Sequence, residues 1–210
     1  AMNAGGMTIH SFFQLPLSPF VPNANIKNRF DYSKEKRKIM RTLDLLIIDE
    51  ISMVRADVLD AIDSVLRRFR EPNKPFGGVQ LLMIGDLQQL TPVVTPTEEE
   101  LLQRYYDTPY FFGSKALRSI NYVTIELTHV YRQQDETFIT LLNNIREGNV
   151  SESDLQRLNQ RYDPTFQPKQ GSDYIRLTTH NRMAESYNED QLRNLPTRAY
   201  TFSAETEGNF

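Results

Sequence analysis

The 210-residue chain has no cysteine, which excludes disulfides and cysteine-ligated metal sites and fits an intracellular protein, cytoplasmic if the source is bacterial. It has no apolar run long enough to span a bilayer and no signal-peptide pattern, so no membrane partner is expected. Nor does it carry the positive excess of a general nucleic-acid binder. Its 24 basic and 27 acidic residues leave a net charge of −3, and any nucleic-acid surface has to be local. One local excess exists: seven basic against two acidic residues from Lys27 to Arg41, which by itself reads as a solvated helix face. The most informative absence is a phosphate-cradling loop of the form G-x-x-x-x-G-K-[ST]. The chain contains none.

What is present reads as globular α/β protein. Hydrophobic residues make up 39% and charged residues 24%, a balance that supports a folded core. The run "LLIIDE" predicts a fully buried parallel strand that delivers Asp49 and Glu50 at its carboxyl end. Val54, Val58, Ile62, Val65, Leu66 and Phe69 recur at helical spacing, and "EPNKPFGG" breaks the pattern. "VQLLMIGD" predicts a second apolar strand, "YVTIEL" (122–127) a third and "YIRLTT" a fourth. Asp135 to Gly148 predicts a helix with Phe138, Leu141, Leu142 and Ile145 inward. Ser151 and Asp154 resemble a capping box for a helix with Leu155 and Leu158 inward. A last helix is expected from about Arg182 to Leu195. Strands alternating with helices argue for α/β layers. Three prolines in 15–24 mark an irregular excursion.

Four stretches hold groups with chemistry. Paired acids at a strand end are used by nucleotide triphosphatases to hold Mg²⁺ and orient water. In "GDLQQLTPVV", Gly85 and Asp86 end a strand and Gln89 follows, where an amide can touch a γ-phosphate or its attacking water. In "YRQQDETF", Arg132 has the planar, always-charged fork that suits phosphate oxygens. In "GGMTIHSFF", Thr8 and His10 follow a glycine turn beside Phe12 and Phe13, a set able to hold phosphates and stack bases. Each of these, taken singly, also reads as an ordinary turn, surface or core residue.

In order and spacing they do not. "GGMTIHSFF", "DEISM", "GDLQQLTPV" and "LTHVYRQQDETF" together resemble the Pif-one family of DNA helicases, in the RecD-like, 5′-to-3′ branch of helicase superfamily one. The likeness runs from Met2 to about Leu195. It implies RecA-like P-loop NTPase layers, a parallel sheet flanked by helices, in two incomplete lobes. Residues 1–124 would be the remainder of the first lobe, with a small insertion near 16–41, and 125–210 the start of the second. It implies an ATP- and Mg²⁺-dependent helicase that translocates on single-stranded DNA and unwinds duplex junctions in repair, recombination or telomere-like maintenance. By position, Thr8, His10, Ser11 and Phe12 would grip single-stranded DNA. Asp49 would hold Mg²⁺, with Glu50 positioning water. Asp86 and Gln89 would sense the nucleotide, and Arg132 would be an arginine finger. Asp49, Glu50, Gln89 and Arg132 would form the catalytic set. Thr178, Asn181 and Asn188 match recurring polar positions without an assigned role.

The resemblance also accounts for the missing loop. In the family it lies just upstream of the segment that opens this chain, so the expectation is the middle of a longer helicase. That Ala1, not methionine, stands first agrees with this. Two alternatives stay open at this stage: a RecD- or relaxase-type helicase, and a non-catalytic DNA-binding or interaction module. Oligomeric state is not legible.

Overall fold

The computed structural model describes residues 5–21, 32–169 and 172–205. It divides into two compact units, Ala1–Gln156 and Arg157–Phe210.

The first unit is organised by a β–α–β crossover. Strand β1 (Leu45–Ile48) pairs in parallel with β2 (Gln80–Met83), in the register Leu45 with Gln80 through Ile48 with Met83. Helix α3 (Ala56–Phe69) connects them. Of the expected stripe, Ile62, Val65 and Leu66 are fully buried, Val58 nearly so, and Phe69 partly; Val54 is buried just before the helix, and Leu59, not in the expected set, is fully buried as well. Burying each such side chain contributes roughly 1.5–3 kcal/mol. The helix ends at Arg70, whose φ −125° and ψ −127° are not helical, with Pro72 two residues on, and a tight turn follows. Phe76, Gly77 and Gly78 all have positive φ, and a Cβ on Gly77 would stand 2.7 Å from the Leu66 carbonyl oxygen. Asp63 holds this turn by accepting from the Phe76 N–H and from Arg67.

The expectation of a fully buried β1 is met on one face only. Leu46, Ile48, Leu81 and Met83 pack with the α3 core, whereas Leu45, Ile47, Leu82 and Ile84 are exposed. In a two-stranded parallel ladder, α3 covers one side, and no described element covers the other.

Helix α1 (Ile9–Phe13) and helix α2 (Lys34–Thr42) pack at the edge of this core. The basic run does form a helix, α2, with Met40 buried. Residues 22–31, which hold the end of the proline-rich excursion and part of the expected insertion near 16–41, lie outside the described residues. Helix α4 (Pro96–Leu102) starts with a reciprocal Thr95–Glu98 capping box. Helix α5 (Lys115–Arg118) docks on α3 through buried Asp60, whose carboxylate accepts from Tyr106 Oη, Ser114 Oγ and the N–H groups of Lys115 and Ala116. Burial, with that carboxylate beside it, pushes the Tyr106 phenol far above its ordinary range.

Helix α6 (Glu136–Glu147) stops at Gly148, φ 73°. Helix α7 (Glu152–Asn159) has the expected cap: the Asp154 N–H donates to Ser151 Oγ, and the Ser151 N–H donates back to Asp154. Their inward faces are less covered than the periodicity suggests. Leu141 is buried, but Phe138, Leu142, Ile145, Leu155 and Leu158 are exposed. The second unit contains helix α8 (Asn181–Arg193), where Arg176 lies 4.1 Å from the Tyr187 ring centroid.

Two expected strands are absent. Residues 122–127 and 174–179 form no ladder, and their apolar side chains are open to solvent, Val123 at 86% and Leu177 at 90%. The alternation that marks a strand is local, but a strand needs a neighbour for its N–H and C=O groups, and no described segment supplies one. No helix among the described residues is long and apolar enough to cross a membrane.

Candidate functional site

The carboxyl end of β1 places Asp49 and Glu50 at the sheet edge, both exposed. Asp49 Oδ1 accepts from the Glu50 N–H at 3.1 Å, which leaves Oδ2 unengaged among the described residues. Glu50 has a left-handed backbone, φ 53°, an uncommon state for a residue with a Cβ. It leads into a 3-10 turn, Ile51–Met53. The turn is held in place by β2: Ile84 N–H donates to Ile48 O, and Ile51 N–H donates to Ile84 O, both at 2.9 Å. Gly85 then passes so close that a Cβ on it would stand 2.9 Å from Ile51 Cγ2 and 3.0 Å from Ile51 N. The two strand exits are thus pressed together, and glycine is required by contact rather than by conformation. Ser52, in the same turn, is buried, and its hydroxyl has no hydrogen-bond partner among the described residues.

Beyond Gly85, the Asp86 carboxylate collects donors. Oδ1 accepts from the Gln88 N–H at 3.0 Å and Oδ2 from Gln89 Nε2 at 2.9 Å. The Arg146 guanidinium from α6 completes the group, with Nε 3.4 Å from Oδ2 and Nη2 3.5 Å from Oδ1. The Gln89 and Gln88 bonds, with the Arg146 charge behind them, hold the Asp86 carboxyl below the usual carboxylate range.

The amino-terminal segment comes to the same edge. Thr8 caps α1, accepting from the Ser11 N–H at 3.3 Å. Two donors from around α2 close the other end: Lys36 Nζ donates to Ser11 O at 2.7 Å, and Tyr32 Oη donates to Phe13 O at 2.6 Å. Phe13 is buried, so it belongs to the core. Phe12 is half-buried, 4.8 Å edge-on from the Phe13 ring, with Lys36 Nζ 5.9 Å from its centroid. Met2, where the family resemblance begins, lies outside the described residues.

A concavity of about 1230 Å³ brings these parts together. Thr8, His10 and Phe12 line it on one side, Asp49 and Glu50 on another, and the exposed face of β1 forms its floor. Ser11, Asp86, Gln89 and Arg132 are not among its lining residues. Asp86 and Gln89 join it indirectly, through Ile84 and Gly85. Arg132 is exposed in an irregular stretch and makes no ion pair among the described residues. Thr178 Oγ1 donates to the His180 carbonyl, and Asn181 and Asn188 are exposed on α8. No cluster of three or more His, Asp or Glu among the described residues could by itself house a metal.

Sequence reasoning missed three groups here. Arg146 is one. The second is Arg55, which binds Asp57 with two bonds of 2.8 Å and Glu98 with one of 2.7 Å. Asp57 also accepts from the Phe20 N–H at 2.9 Å, so this trio ties α3, α4 and the loop after α1 behind the acid pair. The third is Asp60. Each pairs residues far apart in the chain, and no local pattern announces it.

The family model described as PIF1-like helicase matches residues 1–156. The chain is 37% identical over 213 residues to the human ATP-dependent DNA helicase PIF1, covering 97% of this chain and 30% of that protein. It is 32% identical over 212 residues to the Campylobacter jejuni ATP-dependent DNA helicase Pif1, covering 99% of this chain and 45% of the other. The fold is similar to a crystal structure of a Bacteroides Pif1 helicase in complex with ADP-AlF3 and single-stranded DNA. The TM-score is 0.87 at 40% identity, over 94% of this chain and 46% of that one. The chain therefore spans less than half the length of these relatives. With its RecA-like layers, and with the amino-terminal segment and acid pair around one concavity, the chain belongs to the PIF1-like helicase family.

Proposed function

We propose that the protein carrying this chain is an ATP-dependent DNA helicase that moves 5′ to 3′ on single-stranded DNA and opens duplex at junctions. Its work would lie inside the cell, in repair, recombination or telomere-like maintenance. The observation that carries this reading is the shared concavity, which sets Thr8, His10 and Phe12 against Asp49 and Glu50. Nucleotide chemistry and a DNA-gripping segment are then neighbours, as a motor requires.

Asp49, with one carboxylate oxygen unengaged, fits a Mg²⁺ that arrives with the nucleotide and keeps phosphate and water ligands. Such an ion would neutralise phosphate charge. Glu50 would orient and deprotonate the attacking water. Gln89 would touch the water or the terminal phosphate, and Arg132 would supply positive charge to the transition state. Thr8, His10 and Ser11 would hold DNA phosphates, and Phe12 would support a base. Residues 1–124 are assigned to the first RecA-like lobe, with an insertion near 16–41, and 125–210 to the second. This division follows motif order.

The test is ATP turnover of the full-length protein with and without single-stranded DNA, beside strand separation on a duplex with a 5′ overhang. DNA-stimulated turnover with unwinding is expected. DNA binding without any turnover would replace the motor by a non-catalytic binding module.

A further inference from the structure

Gln89 is held by one end. A carboxylate has no proton to give at ordinary pH, so the Gln89 group 2.9 Å from Asp86 Oδ2 has to be the amide NH₂. The Gln89 carbonyl oxygen, an acceptor, is then the end left open to solvent. A glutamine held this way can accept from a water. Its NH₂ also keeps a second hydrogen, which stays available to a phosphate oxygen or a water.

Asp86 is held in turn by the Gln88 N–H and by Arg146. The arginine approaches both carboxylate oxygens and sits in the last turn of α6, where a cation also suits the helix dipole. Two residues on, Gly148 ends the helix, and Asn144 Nδ2 donates to Asp154 at 3.0 Å, inside the Ser151–Asp154 cap of α7. The helix that carries Arg146 is thereby tied to the cap of α7. The Asp86 side chain is only 22% exposed and Arg146 45%, so the pair is partly shielded from screening. The helix that bears Arg146 begins shortly after Arg132 and is capped by Asp135.

We propose that Arg146 is a positioning residue: through Asp86 it holds the Gln89 amide in one orientation, so that movement of α6 is felt at the water-orienting amide. With the Arg146–Asp86 pair closed, the amide is held with its carbonyl oxygen outward. With the pair open, Asp86 keeps only the Gln88 N–H as a fixed partner, and the carboxylate and the Gln89 amide on it are less restrained. This rests on the helicase reading above.

The experiment is a kinetic cycle in the full-length protein, comparing Arg146→Ala, Arg146→Lys, Gln89→Ala and the double variant Arg146→Ala/Gln89→Ala. Arg146→Ala is expected to lower DNA-stimulated kcat roughly tenfold or more, as the loss of an orienting partner does, with KM for ATP changed less than about twofold because nucleotide contacts stay. Arg146→Lys should recover part of kcat by keeping a cation on Asp86. In the Gln89→Ala background, removal of Arg146 should cost nothing more. Losses that multiply in the double variant, or an unchanged kcat in Arg146→Ala, overturn the relay. A wild type without DNA-stimulated turnover removes the helicase reading and the relay with it. An active wild type with an unaffected Arg146→Ala removes only the relay.

Discussion

Gly85 touches Ile51 with no room for a methyl group between them, which joins the end of β2 to the turn that follows the acid pair. Two stretches quoted separately from the sequence, "DEISM" and "GDLQQL", are thereby one packed unit.

Gly85→Ala is therefore expected to destabilise by about 1–3 kcal/mol, the usual cost of overpacking. Because Ile51 and Ser52 contribute backbone atoms to the clash, the strain falls on the turn after Glu50. Urea unfolding of the two proteins checks this. A midpoint equal to wild type would show that the two strand exits can separate freely.

Glu98 supplies a pH dependence. The Thr95 N–H and the Arg55 guanidinium draw its carboxyl from an ordinary 4.5 to about 2. A carboxyl whose folded pKa is depressed stabilises fully above its unfolded pKa, and that stability is lost as pH falls through the folded one. Wild type should therefore lose Tm more steeply than Glu98→Gln between about pH 4.5 and 2, and the two curves should run parallel above pH 6. Parallel curves across the acid range would remove Glu98 from the stabilising trio.

Glu50→Gln in the full-length protein should leave ATP affinity nearly intact and reduce turnover by about 10²- to 10⁴-fold, the range of general acid–base contributions. The amide keeps the shape and loses the basic oxygen. Nucleotide titration beside steady-state turnover decides it. Weakened binding at an unchanged rate would contradict the assigned role.

Arg132→Ala should abolish most turnover while sparing DNA affinity and Tm. Arginine fingers in other nucleotide hydrolases contribute roughly 10³- to 10⁵-fold, and the effect here is expected below that if a second arginine assists. Arg132→Lys should rescue little, since lysine lacks the fork. Near-normal turnover in the alanine variant would leave Arg132 as an exposed surface residue.

The parts that sequence reading recovered are those written locally. The α3 stripe from Val58 to Leu66, the Gly148 stop and the Ser151–Asp154 cap each lie within one stretch of chain, and all three are present. Motif order named Thr8, His10 and Asp49, and the structure lines one concavity with them, a placement the sequence did not state. Pairing across distance was not legible. Asp86 meets Arg146 60 positions away, and Arg55 meets Glu98 43 away. The same limit explains the two missing strands: Val123, Ile125, Ile175 and Leu177 alternate as strand residues do, yet alternation says nothing about a neighbour.

The parallel register of Leu45 with Gln80 has a kinetic consequence. Closing so long a loop before the first ladder bond costs roughly 3 kcal/mol of chain entropy. A helix formed early along that loop shortens the search. α3 should thus be structured when the barrier is crossed, and the ladder should zip afterwards. Trimming Ile62 to Val would then slow refolding more than it hastens unfolding, a partition that stopped-flow measurements on either side of the denaturant midpoint resolve.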